Sequence, residues 1–320
     1  MDNSVLDALI CPVCGLEFMD VLPGETALAC IDGHSFDIAR QGYVNLLTGH
    51  GTKFTHDTSA MVAARDAFLD AGHYRELADA LAGTVRNVLT GAPEAPGGAA
   101  AGRPAASHGP EAAHRPLILD AGTGTGWYLR QLLNKLGGDG AVDAVGLDIS
   151  KFALRRAARR NPAAANLVWD LWQPLPVEAG RADVVLVVFA PRNAAEFARV
   201  LKPAGRLVVV TPRPGHLAEI ARQAGLLGIQ AEKEAALAAS MEAHFELESS
   251  RAVDIALSLS PADVANVALM GPAGHHLEQQ DVERAAAALP GLTEATAQFT
   301  LSVFRPCPRR EVRDNHVSAR

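Results

Sequence analysis

The chain has 320 residues, 48% of them hydrophobic and 20% charged, with a formal net charge of −7. That length gives one large or two smaller domains with ample core. No apolar run approaches the roughly 18 residues of a membrane-spanning helix and no signal-peptide pattern opens the chain, so a globular cytoplasmic protein is expected. The negative balance excludes indiscriminate binding to polyanions, and any nucleic-acid partner must be met by a local basic surface or a few placed donors.

The first informative stretch is LICPVCGLEFMDVLPGETALACIDGHSFD, which gathers Cys11, Cys14, Cys30 and His34. Zinc takes four soft or borderline ligands in a tetrahedron, and Cys-x2-Cys followed fifteen residues later by Cys-x3-His supplies two knuckles. A redox dithiol at CPVC is the rival, but it lacks a thioredoxin-like βαβ setting. With all four positions filled by protein, the metal is structural, and so short a segment depends on it to fold. Cys307 stands alone near the C-terminus and is read as incidental.

Next, TSAMVAARDAFLDAGHYRELADALAGTVRNVL carries apolar residues at helical spacing and breaks at Gly72, which predicts two helices bridging two modules. Residues 90–116 are Ala/Gly/Pro-rich without hydrophobic period and read as a linker or surface insertion. After them, apolar runs (PLILD, AVDAVGLD, NLVWD, ADVVLVVFA, GRLVVVTP) alternate with helical stretches at 126–136, 150–160, 193–201 and from about 216. Alternation of this kind predicts βαβ units and a largely parallel sheet. ESSRAVDIALSL and ATAQFTLSVFR alternate as half-buried strands and are expected to close the sheet edge.

In LILDAGTGTGWYLRQLL a strand ends at Asp120 and Gly122, Gly124 and Gly126 open a helix. Glycines let backbone approach a ligand and the helix start offers unpaired N–H groups. Dinucleotide sites share such a turn with the spacing G-x-G-x-x-G. Asp148, at the tip of the second strand, is placed to accept both hydroxyls of a ribose, which serves NAD and S-adenosylmethionine alike. The third glycine one place early, Asp120 beside the turn, and Asp170 after the third strand favour the methyl donor. FAPRN, residues 189–193, ends the fourth strand without the N-P-P-Y/F signature of amino-group methyltransferases, which favours a ring nitrogen as acceptor. Trp127, Trp172 and Phe189 are candidates to receive an unstacked base, with core packing as the alternative. LRRAARR, residues 154–160, is the most basic run, either a solvated helix face or an RNA contact, whereas the first 60 residues hold eight acids against Arg40 and Lys53.

Taken in order, GHSFDIARQGYVNLL, MVAARDAFLDAGHY, DAGTGTGWY, GLDISKFAL, FAPRNAAEFARVLKPAGRLVVVTP and RPGHL, with the zinc pattern, resemble the guanine-N1 methyltransferases that modify hairpin 35 of 23S ribosomal RNA. That group includes macrolide-resistance enzymes of antibiotic-producing actinomycetes. The resemblance implies an α/β, Rossmann-like class I S-adenosylmethionine-dependent methyltransferase with a small N-terminal zinc-binding module and one structural zinc ion. It implies cofactor contacts from Tyr74, from the turn around Gly124 and Thr125, and from His216, and zinc ligation by Cys11, Cys14, Cys30 and His34. Asp120, Gly122, Gly126 and Asp148 complete the expected cofactor site. The 90–116 segment is longer and more Ala/Pro-rich than the family leads one to expect.

The expected organisation is a zinc-binding substrate-recognition module over 1–50, a helical bridge over 51–90, a linker or insertion over 91–116, a methyltransferase domain over 117–306 and a tail over 307–320. The expected partner is 23S rRNA at hairpin 35, with no membrane and with room for a homodimer. Loss of zinc is expected to cost RNA methylation more than cofactor binding. Two rivals share part of the pattern: a small-molecule methyltransferase, which has no evident use for the zinc module, and a non-enzymatic RNA-binding protein, which has none for an intact glycine turn and Asp148.

Overall fold

The computed structural model describes residues 1–48, 54, 56–92, 115–220, 241–289 and 291–308. The strands after the Ala/Gly/Pro-rich segment are β4 (Leu117–Ala121), β5 (Asp143–Asp148), β6 (Ala165–Val168), β7 (Ala182–Val188), β8 (Leu201–Pro212), β9 (Phe245–Leu259) and β10 (Thr293–Pro306). β4 to β8 follow the predicted apolar runs because Leu, Ile and Val buried on both faces of a sheet leave no polar alternation, and β4 is buried at every position, whereas β10 and the end of β9 alternate as predicted. With β3 (Tyr43–Asn45) they form one eight-stranded sheet in the order β3-β6-β5-β4-β7-β8-β10-β9. The six strands from β3 to β8 run parallel, and β10 is antiparallel to both β8 and β9.

Helices α3 (Trp127–Lys135), α4 (Lys151–Arg160) and α5 (Ala194–Val200) make the parallel crossovers. The two predicted N-terminal helices are α1 (Ser59–Asp70) and α2 (Arg75–Thr90). The break falls at Gly72, whose φ of 88° suits a residue without Cβ. Thr58 caps α1 through its side chain, and Gly91 ends α2 in the left-handed conformation. Two α-helices had no sequence expectation: α6 (Pro261–Met270), opened by a Ser260–Asp263 capping box, and α7 (Gln279–Ala287). α1, α2 and α6 cover one face of the sheet through Phe68, Tyr74, Leu77, Leu81 and Val264, packed with Val184, Leu186 and Phe299. Of the linker, 93–114 lie outside the described residues, as do 221–240 of the helix expected from about 216 and 309–320 of the tail.

The zinc segment covers the other face. Short strands β1 (Ala27–Ala29) and β2 (Ser35–Asp37) form a hairpin beside it, and β3 leaves it to pair with β6. Val5, Leu6, Leu9, Cys11, Phe18, Leu28, Cys30 and Phe36 share one apolar cluster with Leu117, Leu119, Val145 and Leu147. Leu9 bridges Val177, the Asp2 N–H donates to Ala163 O at 2.9 Å, and Arg181 donates to Asp7 O at 2.8 Å. In space, then, α1 and α2 do not stand between the knuckles and the sheet: the segment lies directly on it.

Candidate functional site

The four zinc-type ligand atoms of Cys11, Cys14, Cys30 and His34 all lie within 4.8 Å of one another. A tetrahedron with metal–sulfur bonds of about 2.3 Å has edges of about 3.8 Å. Cys14 Sγ and Cys30 Sγ stand 3.7 Å apart, and Cys30 Sγ is 3.5 Å from His34 Nδ1. The donor set fits one zinc ion, with Nδ1 as the imidazole ligand. Gly15 and Gly33, at φ of 75° and 84°, turn the two knuckles, and the Gly15 N–H donates to Cys11 O at 2.8 Å.

The second constellation sits at the C-terminal ends of β4 and β5. The N–H groups of Gly122 and Thr123 both donate to Leu147 O, at 2.8 and 2.9 Å, which fastens the turn to the neighbouring strand. Its three glycines are required for different reasons. A Cβ on Gly122 would lie 2.3 Å from Ala190 Cβ, so the loop after β7 closes down on this residue. A Cβ on Gly126 would lie 2.6 Å from Asn161 Nδ2 and 2.9 Å from Ala157 Cα, so α4 packs against the start of α3. Gly124, at φ +55°, would meet nothing within 4 Å. Two glycines serve the protein's own packing, and the middle one faces open space that a ligand can enter.

Asp148 accepts hydrogen bonds from the Gly124 N–H at 2.9 Å and the Ser150 N–H at 2.8 Å. The expected ribose acceptor therefore also holds the turn in shape, and each carboxylate oxygen keeps a lone pair for a further donor. Asp120 is buried, and its Oδ2, like Thr123 Oγ1, has no hydrogen-bond partner among the described residues. Burial, with the nearby Asp148 charge, raises the Asp120 pKa to about 7, although the neighbouring Thr123 hydroxyl, outside hydrogen-bonding geometry, favours the ionised form. Burial likewise raises that of Asp148 against the two N–H groups that hold it. Two carboxylates in an apolar corner, an orphaned acceptor and an open glycine suit a cationic ligand bearing a ribose, and S-adenosylmethionine is such a ligand. Thr125 is buried, and Arg160 donates to its carbonyl at 3.1 Å and its hydroxyl at 3.2 Å. Asn161 donates to Gly126 O at 2.8 Å. Sequence reasoning missed these two supports, because a residue that braces a turn from another helix carries no local pattern.

Tyr74 and His216, 142 positions apart, come together: Tyr74 Oη lies 3.4 Å from His216 Nε2. The Gln298 N–H donates to His216 Nδ1 at 3.1 Å, and burial lowers the histidine pKa to about 4. His216 is therefore neutral with its proton on Nε2, a donor to Tyr74. Phe299 packs against both, at ring-centroid distances of 5.0 and 4.7 Å, and against Phe189 at 5.4 Å. Phe189 lies 6.2 Å from Tyr128, so an aromatic wall runs from the N-terminal helices to the end of β7.

Of the three aromatic candidates, Trp127 is buried in the core, while Trp172 and Phe189 are 49% and 45% exposed. Phe189 also adopts φ +57°, a left-handed conformation rare for a bulky side chain. Asn193 donates to Leu171 O at 2.9 Å, and Leu171 and Ala190 both border Gly122, so the loops bearing Trp172 and Phe189 rim one mouth. Asp170 is buried and accepts from the Trp172 N–H at 3.0 Å, shaping that rim.

Comparison with known proteins gives the same partition. A family model described as "Methyltransferase domain" matches residues 118–205, and one described as "RlmA, N-terminal", a zinc ribbon, matches 9–50. The chain is 40% identical to a 23S rRNA (guanine(748)-N(1))-methyltransferase of Streptomyces fradiae over 96% of its own length and 100% of the relative's. It is 42% identical to a putative 23S rRNA (guanine-N(1)-)-methyltransferase of Micromonospora griseorubida, again over 96% and 100%. A putative enzyme of the same description from Bacillus subtilis is 31% identical over 66% of each chain. With identity of this order along essentially the whole length, and with a zinc ribbon and a nucleotide-type turn both intact, the chain belongs to the 23S rRNA (guanine-N1)-methyltransferase family.

Proposed function

We propose that the protein transfers the methyl group of S-adenosylmethionine to N1 of a guanine in hairpin 35 of 23S ribosomal RNA, with macrolide resistance as the consequence for its host. The observation that carries this reading is the full-length likeness to two relatives so described, in a chain whose glycine turn, Asp148 and zinc ligands are all in place. Cofactor contacts are assigned to Tyr74, Asp120, Gly122, Gly124, Thr125, Gly126, Asp148 and His216, and the bounds 1–50 for the zinc module and 117–306 for the methyltransferase part are kept. A homodimer belongs to the same reading. No helix among the described residues is long and apolar enough to cross a membrane.

The cofactor supplies an electrophilic methyl on a sulfonium; the protein's task is to aim it and to keep water out. Asp148 and the open Gly124 would hold the ribose side, and buried Asp120 would offer a carboxylate to the cation. A guanine leaving its hairpin must unstack to reach the mouth, and Phe189 presents an exposed ring there in a strained backbone conformation. Guanine N1 carries a proton that must be taken up as the methyl arrives. His216 is not that base, since Nδ1 is engaged by Gln298 and Nε2 bears its proton.

The test is transfer of radiolabelled methyl to undermethylated 23S rRNA, followed by nucleoside analysis. N1-methylguanine and a reverse-transcription stop in hairpin 35 are expected. Label found only in small molecules would favour the small-molecule rival.

A further inference from the structure

Most lysines and arginines of the described residues are paired: Arg130 with Asp139, Lys135 with Asp79, Lys202 with Asp183, Arg206 with Glu248. The basic helix α4 divides into two faces. Arg156 and Arg160 turn inward to Asp66 and Asp70 of α1, and Arg160 reaches on to the glycine turn. They are structural cations. Lys151, Arg155 and Arg159 follow one another at four-residue spacing, are exposed, and form no ion pair among the described residues. That spacing puts them on one side of the helix with a rung about every 6 Å.

Arg155 already lies over an aromatic floor, its guanidinium carbon 5.6 Å from the Phe152 ring centroid. A fourth exposed cation, Arg40, comes from the zinc segment and is likewise without an ion pair among the described residues. Its neighbours Ala39 and Tyr43 pack against Ala153, Leu154, Ala157 and Ala158 of α4, and a Cβ on Gly42 would meet Ala158 Cβ at 3.9 Å. Four cations without an ion pair among the described residues thus lie on α4 and the segment packed against it, on a chain of net charge −7. The row begins on the zinc segment, where Gly42 meets Ala158 near the end of α4, and runs back along the helix to Lys151, next to Ser150, whose N–H donates to Asp148.

We propose that the outer face of α4, with Arg40, is the phosphate track on which the substrate RNA lies, leading from the zinc segment to the methyl-transfer site. The proposal rests on the reading of the substrate as RNA. Its contacts are to the backbone, so they set orientation and affinity and do not choose the base.

The experiment uses the full-length zinc-loaded protein and a hairpin RNA, with the triple variant Lys151→Gln/Arg155→Gln/Arg159→Gln. Binding is measured from low to moderate salt, S-adenosylmethionine affinity by calorimetry, and methyl transfer in parallel. Each phosphate contact removed lowers the slope of log affinity against log salt by about 0.7–0.9, so the triple variant should lose roughly two units of slope. It should also lose at least tenfold in affinity at low salt, equally for hairpins with and without the target guanine. Cofactor affinity should not move. An unchanged slope with wild-type methylation intact overturns the track and leaves the RNA reading standing, whereas no transfer to any RNA by the wild type fells both. Loss of binding to phosphatidylserine vesicles without loss of RNA binding would make the face a membrane contact and overturn the proposal. Should the triple variant lose cofactor affinity as well, Arg40→Gln and Arg155→Gln decide singly: each must lower the slope by about 0.7–0.9, and no change in either overturns it.

Discussion

The zinc segment and the β4–α3–β5 unit are each about fifty residues or fewer and lie on one sheet, yet they are specified in opposite ways. The zinc segment has strands of three residues, which hold little on their own, and four side chains converging on one point. Its order is concentrated in an ion. The β4–α3–β5 unit has strands buried at every position but Asp148, and its functional turn is shaped by the backbone conformation of three glycines and close packing at two of them. Its order is spread over many small contacts. A structure held by one strong centre should fail as a whole, and one held by packing should fail by degrees.

The sharpest break of that contrast is Cys30→Ser. A structural zinc site is worth about 10–16 kcal/mol to a small domain, and Cys30 lies in the apolar cluster shared with β4 and β5. We expect loss of bound zinc, a melting temperature lower by more than 10 °C, and RNA methylation reduced at least 100-fold. S-adenosylmethionine affinity should fall less, by about tenfold, because the turn is braced from α4 and α1. Equal losses, measured by calorimetry and methyl transfer side by side, would erase the distinction between the two regions.

Within the turn the glycines offer an internal control. Gly126→Ala forces a Cβ into Asn161 and Ala157 and should cost about 1–3 kcal/mol of stability in denaturant unfolding. Gly124→Ala meets no neighbour, so its cost is that of the left-handed backbone alone, about 1 kcal/mol. Its cofactor affinity should nevertheless drop more than tenfold. Stability and affinity moving together in both variants would mean that Gly124 borders no ligand.

Asp120 adds a pH signature. Its folded-state pKa of about 7 lies above the ordinary carboxylate value, so the native state keeps a proton that the unfolded chain releases from about pH 4 upward. This group therefore lowers the stability of the ligand-free protein progressively as pH rises from 4 to 7, and Asp120→Asn should flatten that part of the melting-temperature profile. A cationic cofactor favours the ionised form, so wild-type affinity should rise several-fold between pH 6 and 8, and calorimetry on the Asn variant should show no such rise. The smallest effect is expected from Tyr74→Phe, which removes one hydroxyl bonded to His216 and should cost about 1 kcal/mol in unfolding. Loss of cofactor affinity well beyond that would place the hydroxyl on the ligand itself.

What could be read from the residues follows the same division. The zinc site was fully legible, because ligand spacing within 24 residues is a one-dimensional property. The parallel strands and the turn were legible too, since burial on both faces writes itself as unbroken apolar runs. Arg160 and Asn161 were not, because their partners lie 35 positions away. The pairing of β3 with β6 escaped for a stronger reason: an edge strand of three residues has no periodicity to show, and only the three-dimensional neighbour defines it. LRRAARR was ambiguous in sequence because its arginines alternate between two faces, and the carboxylates that claim one face sit on α1, 90 and 94 positions away.

That β3–β6 pairing also bears on how the chain is made. The zinc ligands are complete by residue 34, while Val168, the partner of Asn45, is synthesised about 120 residues after that strand. At 5–20 residues per second the ribosome needs on the order of 6–25 s to bridge that interval. The knuckles can close on their metal soon after they emerge and then wait, with Leu9, Phe18 and Phe36 still lacking their sheet. Translation would then set how long that apolar surface stands uncovered, and metal supply would decide only whether the waiting segment is folded or open.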